Sequence, residues 1–248
     1  MGGLEKRTVM VLIHIHLKAN QKDMDKRISI NQFVEFGKKK SKKSKLTLIK
    51  NQKFPKNFLS FWYKTAFACI RRCLLENGSL VPIYRGIELL KIRAADTETK
   101  QRNNTVSIEA LERFLNINLP KFLSTDKVEK FKVEQKWVEI DGVKLFLSPE
   151  LIFKVKRSNG DSVIGAFKIH ICKQENKFFD FQMAEMVATQ LHNYLVKTID
   201  EKETVDPKLC FSIDVFGKRI VSASTDTNRY DEEIHLISKE ISELWDIA

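Results

Sequence analysis

The chain has 248 residues, of which 43% are apolar, and its formal net charge at pH 7 is +11. This apolar content is sufficient for one large core or two small ones, and no apolar run approaches the roughly 20 residues of a membrane-spanning helix. The sequence therefore predicts a soluble globular protein with no membrane partner.

The positive charge is concentrated at the beginning of the chain. Residues 1–56 hold 15 Lys and Arg against 4 Asp and Glu, while residues 57–248 hold 28 of each sign. The densest run, KKKSKKSK at 38–45, contains no apolar residue and must be solvated. Two interpretations stay open: an arm that contacts the phosphates of a nucleic acid, or a solvated loop between two strands. The candidate nucleic-acid-binding residues are Lys38, Lys39, Lys40, Lys42, Lys43 and Lys45.

The basic segment contains two predicted elements, and a region with helical periodicity follows it. RISINQFVEF is interpreted as a short element and KLTLIKNQKF as a strand that ends at Pro55. NFLSFWYKTAFACIRRCLLEN is predicted to be a helix, with Asn57 as its cap and Asn77-Gly78 as its stop. Two further helices are predicted, GIELLKIRAADTETKQ and SIEALERFLN, the second beginning at Ser107. Together these segments predict a helical unit across residues 57–120.

After Pro120 the apolar period changes from about 3.6 residues to 2, which indicates strands. Asp141-Gly142 and Asn159-Gly160 are typical of hairpin turns, so the first strands are expected to form an antiparallel meander. The order of elements predicts a mixed α/β sheet with helices on its faces. The predicted strands are FKVEQKWVEI, DGVKLFLS, ELIFKVKR, SVIGAFKIHI, KLCFSIDVF and KRIVSAS, and the predicted helices are FDFQMAEMVATQLHNYLVKTI and EEIHLISKEISELW.

The four cysteines, Cys69, Cys73, Cys172 and Cys210, lie in apolar surroundings. No CxxC pair or Cys/His cluster among them has the spacing of a zinc site, and free buried thiols are common. Cysteine usage therefore predicts a protein of the reducing cytoplasm.

A single lysine, Lys168, interrupts the apolar strand IGAFKIHI, and Ser148-Pro149-Glu150 begins the strand before it. This arrangement resembles the restriction endonuclease-like superfamily, whose PD-(D/E)xK pattern places an acid and then an acid-x-Lys signature on two strands of a hairpin. Pro149-Glu150 is similar to the PD element, and Lys168 to the signature lysine. The resemblance implies a restriction endonuclease-like α/β core at 121–248. The charge count and the helical periodicity add a basic N-terminal segment at 1–56 and a helical region at 57–120.

The resemblance also implies a function, which is metal-dependent hydrolysis of phosphodiester bonds, in DNA more than in RNA. Two carboxylates would hold Mg²⁺ or Mn²⁺ against the scissile phosphate, and the lysine would orient the attacking water. Ala166, however, stands where the pattern expects the second acid. Either the following helix supplies it, with Glu185 as the metal ligand beside Glu150 and Gln182 as a polar support, or the site is inactive. An inactive domain would serve as a platform for a nucleic acid or a protein partner, and a homodimer also stays open.

Each candidate residue also has a purely structural interpretation. Lys168 could be a snorkelling lysine on an edge strand, and Glu150 and Glu185 could be ordinary solvent-facing acids. His170 shares a strand face with Lys168, so it either contacts a phosphate or makes a hydrogen bond in the core. Asp214 is either a third site carboxylate or a hydrogen-bonded residue at the end of a strand.

Overall fold

The computed structural model describes residues 25–54, 62–125, 128–157 and 160–248. The predicted strand end at Pro55, the predicted cap at Asn57 and the turn residue Asn159 lie outside these ranges. Within them, no helix combines the length and the apolar character that a bilayer span requires.

The N-terminal region, residues 25–54, contains one short strand and two helices. The strand β1 (Arg27–Ser29) leads directly into α1 (Ile30–Lys38). The prediction of a strand at KLTLIKNQKF is wrong, because this segment belongs to α2 (Lys42–Lys53). The side chain of Ser41 caps α2 by accepting a hydrogen bond from the backbone N–H of Ser44 at 3.2 Å. This cap and the many lysines, which favour helix over strand, outweigh a weak apolar alternation.

Three longer helices and a short one occupy residues 62–125. The predicted stop at Asn77-Gly78 is confirmed, since both residues have positive φ angles, of 55° and 77°. The predicted helix that begins in GIELLKIR does not continue through DTETKQ, and Ser107 is not a helix start. Instead the Thr97 side chain caps a new helix by accepting a hydrogen bond from Lys100 N, and Ser107 is buried in the middle of that helix. The helices are α3 (Lys64–Leu75), α4 (Val81–Ile92), α5 (Glu98–Phe114) and α6 (Phe122–Thr125).

The elements after residue 125 are β2 (Val128–Phe131), β3 (Trp137–Ile140), β4 (Val143–Phe146), β5 (Leu151–Lys156), β6 (Ser162–His170), α7 (Phe181–Thr198), β7 (Thr204–Asp214), β8 (Arg219–Ser222) and α8 (Asp231–Trp245). The strands form two sheets. In the five-stranded sheet the order is β2-β5-β6-β7-β8, with β6 and β7 parallel and the other neighbours antiparallel. Helix α7 connects β6 to β7, and α8 follows β8.

The expectation of one continuous meander is wrong, because β3 and β4 leave the large sheet. They form a hairpin whose turn is Asp141-Gly142, with φ angles of 48° and 74°, as the sequence predicts. The free edge of β4 pairs in parallel with β1, which makes a separate three-stranded sheet. With β4 occupied on both edges, β5 pairs instead with β2 and β6. Both sheets are mixed and are flanked by helices, so the α/β class is confirmed.

Alternate residues of the large sheet point to opposite faces. One face carries Phe153, Phe167 and Phe211, which pack against the helices of residues 62–125. The other face carries Ile152, Ala166 and Cys210 and packs against α1, α7 and α8. Lys168 lies two residues after Ala166 and therefore belongs to this second face.

Candidate functional site

Glu150 and Lys168 lie opposite each other on neighbouring strands. The register of the hairpin pairs Leu151 with Phe167, and the backbone N–H of Glu150 donates to the carbonyl of Phe167 at 2.9 Å. Glu150 comes directly before Leu151 and Lys168 directly after Phe167, so the two side chains meet at this end of the hairpin. The Lys168 Nζ donates to the Glu150 Oε1 at 3.0 Å, so the structure joins the two residues that carry the resemblance.

Backbone groups complete the bonding of this ion pair. Lys168 Nζ also donates to the carbonyl of Ser148 at 2.9 Å, and the Glu150 Oε2 accepts from the N–H of Ile169 at 2.7 Å. Ser148 has a φ angle of 37°, an uncommon conformation for a residue other than glycine. Lys168 is buried in a central strand, so the interpretation of a snorkelling lysine on an edge strand is wrong.

The electrostatics of Glu150 follow from its burial. Removal from water disfavours the ionised carboxylate and raises its pKa above the ordinary value. The charge of Lys168 and the hydrogen bond from Ile169 act in the opposite direction. The ionised form of Glu150 therefore depends on these two donors.

The position where the family pattern expects a second acid is enclosed by the core. Ala166 has no exposed surface, and it packs in the same apolar cluster as Ala184 and Val187 of α7. Ser212 is the neighbour of Lys168 on β7, and its buried hydroxyl has no hydrogen-bond partner among the described residues. The surroundings of Ala166 thus contain small apolar side chains where a metal ligand is expected.

Glu185 has a different set of partners. Its Oε2 accepts a hydrogen bond from the Tyr230 hydroxyl at 2.5 Å and lies 3.5 Å from the Arg229 guanidinium. One turn later on α7, Thr189 accepts from the backbone N–H of Ser224. This side of α7 therefore faces the connection between β8 and α8. Burial and the bond to Glu185 raise the pKa of Tyr230 above its ordinary value.

Gln182 is not the polar support of Glu185 that the sequence led us to expect, because the two residues do not share a polar face of α7. Gln182 is exposed in the first turn of α7, whereas Glu185 is buried. The interpretation of Glu185 as an ordinary exposed helix residue is therefore wrong as well. The structure brings Glu150 and Lys168 together, and it binds Glu185 into a separate network.

His170 and Asp214 hold the end of β6 and the loops around it. The ring of His170 stacks on Phe179 with centroids 3.9 Å apart, and its Nε2 lies 3.0 Å from the carbonyl of Lys177. Burial lowers the pKa of His170, and the nearby charge of Asp214 opposes this effect. Asp214 is fully buried and accepts from the N–H groups of Phe179 and Gly217, at 2.6 and 3.0 Å. The interpretation of Asp214 as a hydrogen-bonded residue at a strand end is confirmed.

The lysine run covers the end of α1, a short connection and the start of α2, so the interpretation of a loop between two strands is wrong. Three of its six lysines are bound to acids. Lys38 pairs with Asp180, Lys39 with Glu35 at 3.0 Å, and Lys45 with Glu240 at 2.6 Å. The other three, Lys40, Lys42 and Lys43, are exposed and have no ion-pair partner within the described ranges.

A second basic surface was not foreseen from the sequence. A cleft of about 620 Å³ lies between α3, the end of α4 and α5, and Lys64, Arg93 and Lys100 line it. The amide side chains of Asn103 and Asn104 contribute further polar groups, and no acid is among its described lining residues. The three cations are dispersed over 37 sequence positions on different elements, so no local charge run could have indicated them.

No family model matches this chain, and no curated protein is similar enough to it to count as a relative. The described residues contain no group of three or more His, Cys, Asp and Glu side chains that could hold a metal ion. Glu150 and Glu185 each have their own hydrogen-bond partners, Glu150 in Lys168 and Ile169 and Glu185 in Tyr230.

Proposed function

We propose that this chain is a nucleic-acid-binding protein with a restriction endonuclease-like fold, in which the former catalytic pair has a structural role. One observation carries the structural role of the pair: both carboxylate oxygens of Glu150 are bonded inside the protein, to Lys168 and to Ile169 N–H. A carboxylate held in this way links the two strands of the hairpin, and Ala166 offers no second ligand.

The order of elements supports the proposed fold. Helices precede three antiparallel strands, β2, β5 and β6, and α7 then leads to β7, which is parallel to β6. This is the helix, hairpin, helix and strand order of the superfamily. The positions of Glu150 and Lys168 on facing strands of the hairpin also agree with the pattern. The likeness concerns fold and position, and function follows from the site alone.

The exposed lysines support the proposed ligand. Lys40, Lys42 and Lys43 present three amines close together in sequence, with no acid within the run to neutralise them. Clustered amines of this kind gain affinity for nucleic acid by displacing counterions from its phosphates. Contacts to phosphates position a nucleic acid without reading its bases, so we expect binding with little sequence preference.

The test is the salt dependence of binding, measured by fluorescence anisotropy with labelled double-stranded DNA, single-stranded DNA and RNA. The site variant carries Lys40→Gln, Lys42→Gln and Lys43→Gln. The matched control removes three other exposed lysines, with Lys130→Gln, Lys202→Gln and Lys239→Gln. Each lost phosphate contact should reduce the slope of log affinity against log salt by about 0.9 on double-stranded DNA. We expect a flatter slope only for the site variant, and equal slopes for both variants, or no binding by the wild type, would contradict the proposal.

A metal-dependent nuclease is the second candidate function. The 3.0 Å contact between Glu150 and Lys168 favours it, because the carboxylate and the lysine of a nuclease site must lie side by side. Plasmid and single-stranded DNA are incubated with the protein in Mg²⁺ or Mn²⁺, beside Glu150→Gln and Lys168→Met variants that circular dichroism shows to be folded. Cleavage by the wild type that both variants lose would show nuclease activity and would overturn the proposal of binding without hydrolysis. Intact DNA supports that first proposal.

A further inference from the structure

Helix α4 exposes an unusually apolar surface. Its inner side packs Ile83, Ile87 and Leu90 into the helical cluster. Its outer side carries apolar side chains that are between 48% and 79% exposed, alternating with Arg85 and Glu88, and the exposed Lys91 borders them. We call this outer surface the α4 face. It consists of Val81, Tyr84, Arg85, Glu88, Leu89 and Ile92.

The α4 face has a two-fold symmetric sequence pattern. The midpoint of α4 lies between Gly86 and Ile87. Each residue of the face has a counterpart at the same distance on the other side of this midpoint. When two copies of one helix pack antiparallel about the midpoint, such counterparts face each other. The pairs are Val81 with Ile92, Tyr84 with Leu89, and Arg85 with Glu88.

Both the apolar character and the charge of these pairs suit a second copy of the same helix. Each apolar side chain meets another apolar side chain, and each Arg85 meets the partner's Glu88. The contact between the opposite charges occurs twice, as it must in an isologous interface. Glu88 also pairs with Lys91 at 3.0 Å, but this exposed contact three residues along the helix is weak and leaves the carboxylate accessible.

We propose that the α4 face is a homodimer interface, in which the α4 helices of two copies pack antiparallel. A different protein partner would not require the surface to be complementary to itself. Six residues a side make a small interface by the standard of about 800 Å² per partner, so the dimer is expected to dissociate on dilution. This inference is independent of the proposed function, because none of the six residues belongs to the lysine run or to the Glu150–Lys168 pair.

The first experiment is sedimentation velocity over a wide range of protein concentration. Leu89→Glu places a charge against the partner's Tyr84 and should weaken the dimer by at least about tenfold. The matched control is Leu236→Glu on α8, because Leu89 and Leu236 are both 62% exposed in the structure. The control should dimerise like the wild type. A wild type that is monomeric throughout, or equal weakening by both substitutions, would overturn the proposal.

The second experiment is an exchange of the two charges. Arg85→Glu alone and Glu88→Arg alone each bring like charges together across the interface and should each weaken the dimer. The double variant with both substitutions restores opposite charges and should dimerise again. All these side chains are exposed, so the variants should fold, and circular dichroism checks this. A double variant that is as weak as the single ones would show that α4 helices do not pair in this register.

Discussion

The two faces of the five-stranded sheet differ in the contacts that they contain. Neighbouring residues of β6 show the contrast, since Phe167 points to one face and Lys168 to the other. On the first face the ring of Phe167 stacks between Phe153 and Phe211, with centroids 5.3 and 5.2 Å away, and Phe122 of α6 contacts the outer two rings. On the second face the ion pair of Glu150 and Lys168 lies at one end of the hairpin, beside an apolar cluster that includes Ile152 and Ala166. Both faces therefore hold the sheet to its helices by apolar contact, and the second face adds a pair of charges that depends on individual bonds.

This difference decides how each face responds to substitution. Apolar contacts are many and weakly directional, so a lost ring costs the area and the cavity that it leaves. A buried ion pair contributes little net stability because desolvation offsets the attraction, but removal of one partner leaves a buried unpaired charge. The aromatic cluster should therefore respond to the volume of a side chain, and the Glu150–Lys168 pair to whether each charge has its partner.

The largest effect is expected on the first face, from Phe167→Ala. Removal of a fully buried ring that contacts two others should lower the free energy of unfolding by about 4 kcal/mol. Urea denaturation followed by circular dichroism measures this change. Phe181→Ala is the control, since Phe181 is mostly exposed at the start of α7 and should cost far less. Equal losses would mean that the aromatic cluster does not hold the two layers together.

For the Glu150–Lys168 pair, Lys168→Met should be the most harmful single change. The variant keeps the length of the side chain but leaves the carboxylate of Glu150, whose side chain is only 16% exposed, without its cation, at a cost of about 3 kcal/mol. Adding Glu150→Gln removes the unpaired charge and should recover most of this loss, as measured in the same denaturation experiment. A double variant less stable than Lys168→Met alone would contradict the account of the pair.

A smaller loss is expected in the second carboxylate network. Tyr230→Phe removes the hydroxyl that donates to the buried Glu185 and leaves that carboxylate with Arg229, 3.5 Å away. The unfolding free energy should fall by about 1 to 2 kcal/mol. Tyr84→Phe, on the exposed α4 face, is the control and should leave stability almost unchanged when measured at low protein concentration. If Tyr230→Phe is neutral, the hydrogen bond to Glu185 has no net effect on folding.

The smallest effect is the pH dependence that Glu150 contributes. Because its pKa in the folded protein is raised above that of the unfolded chain, the folded state binds more protons between the two values. The contribution of Glu150 to stability is therefore complete below its ordinary pKa and declines as the pH rises through the folded value. Unfolding measured from acid to neutral pH should show a shallower decline for Glu150→Gln than for the wild type. A steeper decline for Glu150→Gln would reverse the direction inferred here.

The sequence predicted the elements after Pro120 better than their pairing. The resemblance placed Glu150 and Lys168 side by side, and their side chains do meet in the structure. Alternation and turn residues, which are local signals, predicted the strands but not this contact. The pairing of β4 with β1 joins Phe146 to Ser29, which are more than a hundred residues apart, and no local signal contains it. The same limit applies to Glu185, since its spacing from Gln182 does not reveal a contact with Tyr230.

The details of the hairpin show why register is difficult to predict. A two-residue turn at Asn159-Gly160 would place Glu150 opposite Ile169, on the wrong face of the sheet. Instead Lys156 pairs with Ser162, and the connection takes the five residues 157–161. This register pairs Leu151 with Phe167, and the side chains of Glu150 and Lys168 meet just beyond that pair. The identity of the residues was readable from the sequence, but their contact depends on the length of a turn.

The enclosure of Ala166 has an evolutionary consequence. On the proposed function, a single substitution to aspartate would restore the acid-x-Lys signature in the sequence. That aspartate would enter a fully buried position against α7, where an uncompensated carboxylate is strongly destabilising. Reversion would therefore require helix α7 to move or repack at the same time. On the proposed function, the packing of one helix thus opposes the return of a metal ligand at this position, even though the change is a single residue.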